Sequence, residues 1–165
     1  MAIVAVLAAV ALPSFASLIE RYRVTRVLED LAGAYYFARS EALKRGGSVF
    51  LQKASTADCT RSAAKDWSCG WIVFHDADED GVQAADGSED PLYRATGSAG
   101  IEVTTAPAFR QLRFDRWGFP QANKFFNVTV RPERARADDP TSGCLVVAAG
   151  GRVSKKGGQV SCAGS

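Results

Sequence analysis

Asp76, Asp78 and Asp80 alternate and are closed by Gly81, which puts three carboxylates at the spacing of the front half of a calcium loop. The back half departs from that pattern, because position twelve counted from Asp76 is Gly87 where a bidentate glutamate is required, with Asp86 and Glu89 nearby. An acidic hairpin whose Asp side chains cap their own turns accounts for the run. A weak calcium site is the alternative, decided by calorimetry with added calcium. No metal ligand is assigned on this basis.

Charge is unevenly distributed around a formal net value of +2. Residues 76–90 hold seven acidic side chains and no basic one, whereas 109–165 hold ten basic and four acidic. Within the basic part, Arg152, Lys155 and Lys156 are clustered, and Arg131, Arg134 and Arg136 lie upstream. A wet, charged surface is the plain explanation of these residues.

Cys59, Cys69, Cys144 and Cys162 are four in number and fit disulfides in an oxidising compartment. Three pairings are possible. The local ones, Cys59 with Cys69 and Cys144 with Cys162, are favoured because each brackets a polar, Gly- or Ser-containing stretch. Closing a loop of that size contributes about 3 kcal/mol by chain entropy. Zinc is disfavoured, since no cysteine pair has the two-to-four residue spacing and His75 is the sole histidine. The signatures Gly-x-Ser-x-Gly, His-Glu-x-x-His, the Walker loop and the dinucleotide fingerprint are missing. The expectation is a protein that is not an enzyme and uses no cofactor or small-molecule substrate.

The elements that carry these groups begin with an uncharged stretch, residues 1–19, including Ile3, Val4, Leu7, Val10, Pro13 and Phe15. As a helix it would run roughly 28 Å, near the ~30 Å hydrocarbon thickness of a bilayer. Beyond Glu20 the residues Val24, Leu28, Leu31, Tyr35, Ala38 and Ala42 recur at helical spacing and form one apolar stripe, ending at Gly46-Gly47. Pro13 kinks such a helix rather than ending it. A cleaved signal peptide is the rival, given Ser14-Phe15-Ala16 after Pro13. A retained anchor is preferred, because a basic n-region is missing and the helical pattern continues past the cut.

After Gly47 the period drops to two. Strands are expected at 48–53, 70–75, 92–95, 101–105, 109–115, 125–131, 144–149 and 159–162, with polar loops at 54–68 and 131–143. Short strands separated by turns argue for antiparallel sheets. Trp71, Phe74, Leu112, Phe114, Val128, Val130, Leu145 and Val147 are the expected core. The division is 1–19 as membrane or filament helix, 20–46 as amphipathic helix and 47–165 as a β-rich head, an α+β fold.

The opening AIVAVLAAVALPSF with its amphipathic continuation resembles the N-terminal helix of type IV pilins and type II secretion pseudopilins. In the head, Gly70-Trp71-Ile72-Val73-Phe74 runs into the Asp76–Gly81 stretch, followed by Leu112-Arg113-Phe114 with Gly118, Cys144-Leu145-Val146-Val147, Gly151-Arg152-Val153 and Cys162. Together these are similar to the GspH/FimT family of minor pilins and pseudopilins. The resemblance implies a pilin-like fold and a subunit acting in assembly or initiation of a type IV pilus or type II secretion pseudopilus. It implies an inner-membrane, single-pass protein with a periplasmic head, and partners that are other pilins engaged through the N-terminal helix. The family's leader, Gly-Phe cleavage site and early glutamate have no counterpart here, so the sequence reads as starting inside the apolar segment. Some relatives in the FimT branch resemble DNA receptors for natural transformation with a Gly-Arg motif, which Gly151-Arg152-Val153-Ser154-Lys155-Lys156 approaches with serine in place of the second arginine. DNA capture is therefore the alternative function.

Overall fold

The structure is a computed structural model that describes residues 2–55, 59, 61–121, 125–135, 139–158 and 162, with side chains from Ala16 onward. Helix α1 spans Ala2–Arg45 and runs through Pro13 without a break. It stops at Gly46 and Gly47, with φ of 82° and 114°, conformations that cost an L side chain strain. The Gly47 amide donates to the Ala42 carbonyl, closing the last turn. Lys44 and Arg45 sit at the carbonyl end, where cations oppose the helix dipole.

Eight strands follow: β1 (Val49–Lys53), β2 (Gly70–His75), β3 (Tyr93–Thr96), β4 (Ile101–Ala106), β5 (Gln111–Phe114), β6 (Phe126–Pro132), β7 (Gly143–Val147) and β8 (Val153–Gly157). They form two four-stranded sheets, ordered β3-β2-β1-β5 and β4-β6-β7-β8, and every strand pair is antiparallel. All six stripe residues of α1 are buried and join the inner faces of both sheets in one core. Each buried Val, Leu or Ile side chain there contributes about 1.5–3 kcal/mol. Tyr35 is at the centre, packed edge-on to Phe114 with ring centroids 5.2 Å apart.

Strand alternation corrects the expected core. Trp71 and Val73 face the helix, but Phe74 is three residues from Trp71 and must point the other way. Phe74, Ile72 and Phe50 form a separate buried cluster on the outer face of the first sheet, with Phe50 and Phe74 stacked at 5.3 Å. The other seven expected residues lie in the main core.

The last expected strand, 159–162, falls on residues of which only Cys162 is described. The strand that pairs with β7 is β8, in a stretch expected to be loop. The described part of 54–68 is a loop tied by the Cys59–Cys69 disulfide, as expected, but it also reaches the core: Ala54 and Trp67 are buried, and the Trp67 indole donates to the Phe109 carbonyl at 3.0 Å. Buried Lys53 pins the same segment, donating to the Arg61 and Ala63 carbonyls at 2.8 and 2.9 Å.

Disulfides join Cys59 to Cys69 and Cys144 to Cys162, with Cα separations of 5.9 and 5.7 Å. Cys144 lies on the face of β7 opposite Leu145, so its bridge brings Cys162 over the outer side of the second sheet. There the Asn127 amide donates to the Cys162 carbonyl at 2.8 Å.

Candidate functional site

Two features stand apart from the packed core: the start of the described helix surface and the charged loops of the head. From Ala16 to Arg23 every side chain is exposed, including Leu18 at 62%, Ile19 at 50% and Tyr22 at 69%. From Val24 onward the stripe is covered by the head. The side chains of Ile3, Val4, Leu7, Val10, Pro13 and Phe15 lie outside the described residues. Among the described residues no helix is long and apolar enough to cross a membrane.

Helix and head are locked by a clasp around Arg39. Its guanidinium lies over the Phe119 ring, 5.5 Å from the centroid. Gly118 and Gly151, on two different loops, both have positive φ, 71° and 76°. A Cβ on Gly118 would come within 2.8 Å of the Arg39 side chain, and one on Gly151 within 3.2 Å of the Tyr35 hydroxyl. Burial pushes the Tyr35 phenol up to about 12, so it stays protonated and donates to the Gly151 carbonyl at 3.4 Å.

The basic residues disperse. Lys155 is level with Leu145 and points to the helix side, where its ammonium contacts both Glu29 carboxylate oxygens at 2.5 Å. Lys156 is level with Cys144 and turns to the opposite face. Arg131 pairs with Glu102. Arg152 is exposed just before β8, beside the Val147 end of the sheet, while exposed Arg134 follows β6 at the other end. At ~3.3 Å per residue these ends are on the order of 20 Å apart. Arg136 lies outside the described residues.

The acidic loop converges. It leaves β2 at Asp76, whose backbone amide donates to the Ser48 carbonyl, and crosses the outer face of the first sheet to β5, where the Gln111 side-chain Nε2 donates to the Gly81 carbonyl at 3.1 Å. On the same face the Arg113 guanidinium lies over the Phe50 ring, 5.8 Å from its centroid. Buried Glu89 staples the loop from inside, accepting the Ala77 and Ala84 amides at 2.6 and 3.0 Å. Asp78, Asp80 and Asp86 each accept the amide two residues on, as expected of a self-capping hairpin. Asp76 differs: Oδ2 accepts the Gly81 amide at 3.0 Å, but Oδ1 is buried with no hydrogen-bond partner among the described residues. Burial raises its carboxyl above the ordinary range. His75 is partly buried at the end of β2.

The sequence from 28 to 151 matches the family described as Type II transport protein GspH. The chain belongs to the GspH family. Among solved structures the family member is similar to the type IV minor pilin FimU of Pseudomonas aeruginosa, with 22% identity over 83% of this chain and 90% of that one, and a TM-score of 0.60. A second crystal form of FimU gives 20% identity over 80% and 91%, with a TM-score of 0.58. The minor pseudopilin EpsH from the Type 2 Secretion System of Vibrio cholerae is more distant in sequence, at 11% identity over 82% and 97%, with a TM-score of 0.53. No curated protein matches the chain. The shared fold is the pilin one, a long N-terminal helix packed on antiparallel sheets.

Proposed function

We propose that this GspH-family chain is a minor pilin or pseudopilin, a subunit that helps initiate or assemble a type IV pilus or a type II secretion pseudopilus. Family membership supports the pilus or pseudopilus role at that level. One observation carries the rest: a single helix whose distal stripe is buried by its own head while the side chains of Leu18, Ile19 and Tyr22 stay half exposed or more among the described residues.

Residues 1–19 act as the membrane or filament segment, 20–46 as the half that seats on the head, and 47–165 as a periplasmic head. Apolar surface of this kind is buried first in the inner membrane and then against neighbouring helices of a filament, since burial is favourable at ~25 cal/mol per Å² in either setting. No catalytic step belongs to this role. The partners are other pilins.

Deleting the gene in its host and scoring surface pili and secreted proteins separately tests the assignment. Loss of pili alone supports the pilus, loss of secretion alone the pseudopilus, and loss of neither contradicts both. DNA capture receives less support from the geometry, because Lys155 is paired with Glu29 and Arg134 is remote from Arg152.

A further inference from the structure

We propose that Asp76, Asp78 and Asp80 form a calcium site that fixes the acidic loop over the outer face of the first sheet. One carboxylate oxygen from each residue lies within 4.8 Å of the others. Oxygens coordinating one calcium ion sit 2.3–2.6 Å from it, so no two can be more than about 5 Å apart. The three meet that distance limit. The independent observation is Asp76: only 1% exposed, with no hydrogen-bond partner for Oδ1 among the described residues. A buried carboxylate oxygen without a donor is costly unless a cation satisfies it.

The donor set is all carboxylate oxygen, which selects a hard cation over zinc or copper. Asp78 and Asp80 are exposed, which leaves one side for water, and their presence on a loop rather than a rigid cage favours calcium over magnesium. With three carboxylates, the affinity belongs to the weak class of extracellular modules, about 10⁻⁴–10⁻³ M. The ion would sit on the same loop whose Gly81 carbonyl bonds Gln111 and whose Glu79 accepts the Ser48 hydroxyl. Calcium thus ties β1, β2 and β5 through one connection, independently of whether the protein serves a pilus or a secretion system.

The test is isothermal titration of the full chain in detergent micelles, stripped with EDTA, against calcium chloride and against magnesium chloride, with thermal melting of the same samples. The expected result is one saturable calcium site, a melting temperature that rises with calcium, and at least tenfold weaker binding of magnesium. Asp78→Asn combined with Asp80→Asn, both exposed positions, should weaken calcium binding at least tenfold while leaving the metal-free melt in place. Asp86→Asn should leave binding unchanged. No calcium heat with folded protein, binding that survives the double substitution, or equal affinity for magnesium would each overturn the assignment.

Discussion

Residues 16–23 and 24–42 belong to the same helix but meet opposite surroundings. In the second stretch Val24, Leu28, Leu31, Tyr35, Ala38 and Ala42 are 5% exposed or less, and in the first Leu18, Ile19 and Tyr22 are half exposed or more. Helix formation is therefore not what the head supplies to the first stretch. Under the proposed role, Leu18, Ile19 and Tyr22 gain their burial from a second solvent or a second molecule.

Substitutions along the helix and in the core beneath it should separate the two regions. Phe114→Ala, in the core against Tyr35, should destabilise the head by about 3–5 kcal/mol, and Leu31→Ala by about 2–5 kcal/mol, both read from denaturant melts. Leu18→Ala should change the same melts by less than about 0.5 kcal/mol, as for an exposed position, yet reduce recovery of the protein in filament or membrane fractions. If Leu18→Ala destabilises as Leu31→Ala does, the helix is uniformly packed on the head and the contrast fails. Gly151→Ala forces a Cβ into left-handed backbone beside Tyr35, and should cost about 1–2 kcal/mol.

Smaller effects sharpen the boundary at the other end of the helix. Hydrogen bonds from Lys44 and then Arg45 hold the Glu41 carboxyl below its usual value. A depressed carboxylate stabilises the fold above the ordinary carboxylate range and loses that contribution as pH falls through its own lowered pKa. Glu41→Gln should therefore flatten the acid side of the melting profile, by no more than ~2–4 °C because both partner cations, Lys44 and Arg45, are solvent-exposed. Least of all, Arg152→Ala should leave a gel-shift titration with duplex DNA within about twofold at 150 mM salt. A large loss there would revive DNA capture.

Much of this architecture was legible in the chain itself. The stripe from Val24 to Ala42 and the Gly46-Gly47 stop locate the seated half of the helix, because a 3.6-residue period and a glycine end are local signals. Strand β2 was readable from 70–75 because Trp71 to Phe74 are all buried on one face or the other. That same double burial hid the direction of Phe74, since a strand covered on both sides shows no alternation. Strand β8 was not legible: Val153-Ser154-Lys155-Lys156-Gly157 has one branched apolar residue, and its pairing with β7 is a tertiary effect. The charged groups divide likewise. Asp76, Asp78 and Asp80 meet because a tight loop keeps sequence neighbours together, whereas Arg134, Arg152, Lys155 and Lys156 are scattered by strand alternation and by the length of the sheet.

Site-specific crosslinking from position 18 in living cells bears most directly on the two-surroundings account. A photoreactive residue at Leu18 should yield adducts with other pilin-like subunits in sheared filament or inner-membrane fractions, while the same residue at exposed Val82 on the head should not give those helix adducts. Recovery of the Leu18-labelled protein as a free periplasmic species, with no protein or lipid adduct, would contradict it.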